Sequence, residues 1–146
     1  MVVVRDLMSS PVFTIREDKS LRAVEEIMKW AHIRHVPVVD AGGGLVGILS
    51  ARNLVSAAVS TLAIKISQAE RAQHMAAREV RSLMHQPVTT IAPDDRVQAA
   101  AHLMRRDRIG CLPVVESGRL VGIITEADLL GIVEHLPDDA LVRRRE

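Results

Sequence analysis

Apolar residues follow two rhythms along this chain, and each rhythm occurs twice. Leu21, Val24, Ile27, Met28 and Ala31 stand three and four apart, the spacing of one helix face. Val97, Ala100, Leu103 and Met104 repeat it further on. Asp18 or Ser20 is placed to cap the first of these helices. Ahead of each helix lies a short β-rich run, residues 12–15 and 88–91, opened by Pro11 and Pro87. Behind each comes Pro37-Val38-Val39 or Pro113-Val114-Val115, then glycine, then a second apolar run from Leu45 or Leu120. Strand, turn and strand predict a hairpin. A further helix is expected from about Ala51 and from about Glu126.

The two halves are a direct repeat. At an offset of 76 positions, Val4-Arg5 meets Val80-Arg81, Leu7-Met8 meets Leu83-Met84, and Pro37-Val38-Val39 meets Pro113-Val114-Val115. One residue is lost in the Gly42-Gly43-Gly44 turn, and the offset becomes 75, so that Leu45-Val46-Gly47-Ile48 meets Leu120-Val121-Gly122-Ile123. The alignment gives 20 identities over about 51 positions. Each copy reads β-α-β-β-α. A single copy is too small to bury a sufficient core, whereas two copies packed sheet to sheet are not. The fold class is therefore α/β (α+β), with repeats at 1–59 and 80–146 and a helical linker at 60–79. Ser67-Gln68-Ala69-Glu70 in that linker has the spacing of a capping box. The arginines of residues 143–145 read as a solvated tail.

Composition narrows the function. Of 146 residues, 48% are hydrophobic and 25% charged, and the formal charge is +1. Neither a nucleic-acid surface nor an anionic membrane is matched by so even a balance. With one Phe, one Trp and no Tyr, the chain lacks the stacking platforms of single-strand binders. Cys111 is the sole cysteine, sits in an apolar run, and has no visible activator. The N-terminal apolar run is expected to be too short for a signal peptide, and residues 53–64 too short to cross a membrane. A cytoplasmic setting is expected. The six histidines lack a metal-ligand spacing, and no nucleophile elbow, Walker loop or dinucleotide glycine motif occurs. No catalytic or metal site is expected.

Three matched segments carry a family resemblance. They are Arg5-Asp-Leu-Met-Ser-Ser-Pro-Val12 with Arg81-Ser-Leu-Met-His-Gln-Pro-Val88, Arg34-His-Val-Pro-Val-Val-Asp40 with Gly110-Cys-Leu-Pro-Val-Val-Glu116, and Gly47-Ile-Leu-Ser50-Ala-Arg-Asn53 with Gly122-Ile-Ile-Thr125-Glu-Ala-Asp128. In that order and twice, they resemble the cystathionine-β-synthase (CBS) domain pair, or Bateman module. The resemblance implies pseudo-symmetric CBS motifs, dimerisation, and up to two clefts for adenosine-containing ligands.

The strand-to-helix junctions offer the candidate chemistry. A helix N-terminus attracts phosphate, and a carboxylate one turn in has acceptors for both ribose hydroxyls. Thr125 and Asp128 have that spacing, which is equally that of a cap needing no ligand. The resemblance implies that Asp128 holds ribose and Thr125 meets phosphate. In the first copy Ser50 and Asn53 take these places, and an amide supplies donors where the carboxylate has an acceptor. The resemblance also implies phosphate contacts from Arg34 and His35, which equally suit a solvated strand edge. Adenine contacts would be Met8, Phe13 and Ile33 beside Asp128, and Met84, Thr89 and Ile109 beside Asn53. Most of these also suit a core. The expected function is a sensor for AMP, ADP, ATP, NAD(H) or S-adenosylmethionine that signals to an unidentified partner protein, with no required cofactor. The alternative is a ligand-free dimerisation and protein-interaction module. A homodimer is expected through Leu54, Val55, Leu129, Leu130, Met28 and Met104.

Overall fold

The computed structural model describes residues 1–62 and 67–140. The charged tail and residues 63–66 of the linker lie outside the described residues. The elements run α1 (Val4–Leu7), β1 (Ile15–Arg16), α2 (Leu21–Ala31), β2 (His35–Val39), β3 (Leu45–Ser50), α3 (Ala51–Leu62), α4 (Gln68–Ala77), a 3₁₀ turn (Val80–Ser82), α5 (Val97–Asp107), β4 (Cys111–Glu116), β5 (Arg119–Thr125), α6 (Glu126–Glu134) and a last 3₁₀ turn (Asp138–Ala140).

The chain folds into two compact units, and their boundaries do not follow the repeat. Met1–Val12 belongs with the chain from Thr89 onward, and Phe13–Val88 forms the other unit. Each repeat's opening segment thus joins the other repeat's body. In the first of these units, Val4 N–H donates to the Asp95 carbonyl at 2.9 Å and Arg5 N–H to Pro93 at 2.8 Å. In the second, Val80 N–H donates to Lys19 at 2.7 Å and Arg81 N–H to Glu17 at 3.0 Å. These are equivalent positions in the repeat, so the same backbone joint is made twice.

In the unit of residues 13–88, β1, β2 and β3 form a sheet in that order, β1–β2 parallel and β2–β3 antiparallel. Ser20 caps α2 by accepting from Ala23 N–H at 3.1 Å, leaving Asp18 to pair with Arg16 at 2.7 Å. The α2 face buries Leu21, Val24 and Met28 against Val36, Val38 and Leu49, while Met75 of α4 closes the same core. Each fully buried aliphatic side chain contributes roughly 1.5–3 kcal/mol. Ser67 caps α4 by accepting from Glu70 N–H at 3.2 Å, as the linker motif predicts.

In the other unit β4 and β5 form an antiparallel hairpin. Val4 of α1 joins Ile91, Ala100, Met104, Leu112, Val114 and Ile124 in its core. The cap position of α5 is Arg96, whose side chain makes no capping bond.

Three expectations need correcting. The β-rich openings are shorter than their composition implies: β1 holds two residues, and in the second copy Ile91 alone bridges Val114. The first meets only Val38 and Val39 at the end of β2, and the second meets the middle of β4, from Pro113 to Val115. Met28, Met104 and Leu54 are buried in the cores, and Leu129 packs against one. Of the six residues expected on a dimer face, Val55 and Leu130 are the exposed ones. Phe13 is 47% exposed, held edge-to-face on Trp30 at 5.9 Å, and belongs to neither core.

Candidate ligand-binding site

Both strand-to-helix junctions are built on one plan. Thr125 ends β5 in extended backbone and is the N-cap of α6. Its N–H and its hydroxyl both donate to Asp128 Oδ2, at 2.8 and 3.1 Å. At the matching junction Ser50 N–H and Oγ–H both donate to Asn53 Oδ1, at 2.9 and 2.7 Å. Asn53 N–H returns a bond to Ser50 Oγ at 3.1 Å.

An amide must turn its oxygen towards a backbone N–H, because its nitrogen cannot accept. Asn53 therefore has its carbonyl fixed on Ser50 and its NH₂ pointing the other way. Asp128 fixes one carboxylate oxygen and keeps the second. Neither Asn53 Nδ2 nor Asp128 Oδ1 is hydrogen-bonded among the described residues. The two junctions have matching local bonding but opposite remaining polarity: an anionic acceptor at Asp128, a pair of donors at Asn53. All four side chains are half-buried.

The opening segments lie against these hairpins. Ser9 and Ile123 exchange backbone hydrogen bonds at 2.9 and 3.1 Å, and His85 and Ile48 do so at 2.8 and 3.0 Å. Met8 thereby covers Gly122, and Met84 covers Gly47. Both methionines are half-buried and pack on their unit's core.

The remaining candidates divide between the units. Met8, Thr89 and Ile109 share a unit with Thr125 and Asp128; Phe13, Ile33, Arg34, His35 and Met84 share one with Ser50 and Asn53. Thr89 spends its hydroxyl on Asp107 Oδ2 at 3.2 Å. The Asp107 carboxyl lies below its usual range, chiefly through the Arg106 hydrogen bond and further through that of Thr89. His35 is half-buried on β2 and stands in register with Ser50. Arg34 lines an open groove of about 510 Å³ with residues of α2, α3 and α4, Ser50 and Asn53 not among them.

Cys111 is buried, and desolvation, aided by the Glu126 carboxylate, pushes its thiol up to about 12. A thiol held neutral in this way is a poor nucleophile. No cluster of three or more His, Cys, Asp or Glu suited to a metal exists among the described residues. No described helix is long and apolar enough to cross a membrane.

Sequence reasoning passed over Trp30 and the groove residues Lys29, His32 and Arg71. Trp30 was findable: it falls off the Leu21–Val24–Met28 face of α2, and it is 76% exposed. Lys29 and Arg71 come from separate helices that no local spacing connects.

A duplicated β-α-β-β-α unit with a Ser/Thr cap and Asx residue at each junction defines a pseudo-symmetric paired module. The chain belongs to the CBS domain family, which it matches over residues 4–60 and 80–135. It is 36% identical over 133 residues to a CBS domain-containing protein of Dictyostelium discoideum, covering 90% of this chain and 91% of that one. It is 36% identical over 127 residues to a homoserine O-acetyltransferase of Methanococcoides burtonii, of which it spans only 23%. Among solved structures it is similar to the CBS domain pair of protein MJ0100 in complex with 5′-methylthioadenosine and S-adenosyl-L-methionine. The TM-score is 0.76 at 27% identity, over 92% of this chain and 98% of that one.

Proposed function

We propose that this chain is a regulatory module that binds an adenosine-containing ligand and passes its occupancy to a partner protein, without catalysing a reaction. The observation that carries the reading is the second oxygen of Asp128. The first is held by Thr125 at the head of α6, which aims the carboxylate without using it up. Two vicinal ribose hydroxyls are donors and match such an acceptor. The N-terminus of α6 adds partial positive charge for phosphate, with the Glu126 N–H already donated to the Gly110 carbonyl at 3.0 Å. The adenosyl ligands of the similar MJ0100 pair support the same ligand class.

In this reading the Ser50–Asn53 junction is the weaker ribose site, and His35, facing Ser50 across the β2–β3 register, is the better placed of the two basic residues. The module acts as a homodimer through its exposed apolar helix positions, Val55, Leu130 and Val133.

The outward amide of Asn53 favours a second reading, a ligand-free pairing module. Thermal shift against AMP, ADP, ATP, NADH, 5′-methylthioadenosine and S-adenosylmethionine separates the two. A ligand that binds only the folded state raises Tm, by about 2.7 kcal/mol of added stability at a hundred times Kd. A flat response across the panel at millimolar ligand overturns the sensor reading and leaves the pairing module.

A further inference from the structure

The open groove on the unit of residues 13–88 breaks the symmetry of the repeat. It is lined by α2, the turn that follows it, α3 and α4. The turn ties the walls together. His32 takes φ of +54° and ends α2, and the Met28 carbonyl accepts from the N–H groups of His32 and, at 3.1 Å, of Ile33. The Arg34 carbonyl then accepts from Ala51 N–H at 2.7 Å, at the head of α3. The second repeat makes the same joint, from Glu126 N–H to the Gly110 carbonyl at 3.0 Å, with different side chains around it. Gly110 stands there for Arg34, Glu126 for Ala51 and Ala101 for Glu25. The helix α4, which supplies Arg71, belongs to the linker and has no place in the repeat.

The lining is amphipathic. Its floor is aliphatic, with Met28, Ile33, Leu54 and Val55, and no aromatic ring lines it. Its rim holds Lys29, Arg34 and Arg71 against one acid, Glu25, so three permanent positive charges less one negative leave a surplus of two. Lys29 and Arg71 share Glu25 at 3.3 and 3.5 Å, while the Arg34 guanidinium makes no ion pair among the described residues.

We propose that this groove is a second ligand site, for a single-chain aliphatic carboxylate of the medium-chain fatty-acid class. An alkyl chain matches a wholly aliphatic floor, and each methylene it buries adds to affinity. The carboxylate meets Arg34, whose planar guanidinium offers it two parallel N–H donors. The surplus charge on Lys29 and Arg71 adds attraction across the rim. The groove volume of about 510 Å³ falls among small-molecule sites, which span about 300–1,000 Å³. None of Ser50, Asn53, Thr125 and Asp128 lines the groove, so the site stands or falls apart from the adenosyl reading.

Calorimetry of the full chain with decanoate, kept below its micellar concentration, tests the site. Decanoate is expected to bind at least tenfold more tightly than acetate, which is the head alone. The same margin is expected over decyltrimethylammonium, which carries the tail with the opposite charge. Arg34→Gln should weaken decanoate about tenfold, and added salt should weaken it in the parent. Arg34 is exposed, so the variant's urea midpoint should match the parent's. Val55 is 61% exposed, and Val55→Asp, which sets an acid on the floor, should weaken decanoate as well. Equal affinities for the three probes, or no heat from decanoate at millimolar concentration, overturn the site. Decanoate binding untouched by both variants overturns it too, because the amphiphile then lies elsewhere. Decanoate affinity that falls as protein concentration is raised makes the groove a contact between molecules and overturns the ligand site, leaving Val55 to the homodimer.

Discussion

The sulfur of Met84 lies so close over Gly47 that a β-carbon on that glycine would sit 2.5 Å from it, and 2.9 Å from the methionine's Cγ. Met8 covers Gly122 in the same way, with the Ser9 carbonyl 3.1 Å from the missing carbon. Glycine is needed here for space and not for its backbone angles, since neither residue has positive φ. Gly47→Ala should therefore destabilise by about 1–3 kcal/mol, the usual range for overpacking. Met84→Ala should absorb part of that loss. In a double-mutant cycle of urea unfolding, strict additivity would show that Met84 is not the obstacle.

The polarity difference between the two junctions yields a cleaner ligand test than truncation. Asp128→Ala removes its half of the α6 capping box along with the proposed ribose acceptor. Asp128→Asn keeps that half of the box, because Asn53 already accepts the same bonds from Ser50 in this chain. It exchanges only the outward oxygen for an amide. Whichever adenosyl ligand raises Tm should bind this variant about tenfold or more weakly, since hydrogen bonds to a charged group contribute about 1.5–3 kcal/mol. The ligand-free Tm should barely move. Asn53→Asp should strengthen the other junction. Calorimetry showing unchanged affinity for Asp128→Asn would remove Asp128 from the ribose site.

Burial of Cys111 sets a pH signature. Its folded pKa is raised, to about 12 from an ordinary value of 9.0. Below 9.0 the thiol is neutral in both states and its contribution to stability is intact. As pH rises from there towards 12, the unfolded thiol ionises while the folded one does not, and stability falls. Cys111→Ala should flatten that decline in urea midpoints between pH 9 and 11. The folded protein should also resist iodoacetamide at pH 8 until denaturant is added. Rapid alkylation of the native chain would contradict the burial.

The repeat made the hairpins and the helix starts legible, and the linker's own spacing did the same for the Ser67 cap, because each depends on residues close in sequence. It could not show which body each opening segment joins. Val4 and Val80 are identical, as are Arg5 and Arg81, so either segment fits either joint by local pattern alone. The periodicity of α2 marked an apolar face but not what covers it. Met28 looked available for a partner, whereas Met75 of α4 shares its core. At the candidate site, the Ser/Thr and Asx residues were visible from spacing. The direction of Asn53's amide was not, since it follows from a hydrogen bond to the Ser50 backbone.

The single-residue difference between the two hairpin turns gives a final prediction. In the first, Asp40 Oδ1 accepts from the N–H groups of Gly42 and Gly44 at 2.9 Å each, and Gly43 takes φ of +85°. The second is tighter: Glu116 pairs with Arg119, leaving Ser117 and Gly118 as a two-residue loop with φ of +50° and +77°. Two consecutive positive φ values match the twist of the flanking strands and favour Asn-Gly. Gly118 meets the requirement freely, while Ser117 carries a β-carbon in a region that L-residues avoid. Asn tolerates that region better than Ser, because its side chain bonds to the local backbone. Ser117→Asn should therefore stabilise by about 0.5 kcal/mol, or roughly 1–2 °C in Tm for a chain of this size. Ser117→Val, branched at the strained position, should destabilise by about 1 kcal/mol or more. The loop is exposed and lies at the opposite end of the hairpin from Thr125, which pairs with Cys111, so ligand affinity should be unchanged in both variants. A Val variant as stable as the parent would mean that the turn relaxes to another geometry.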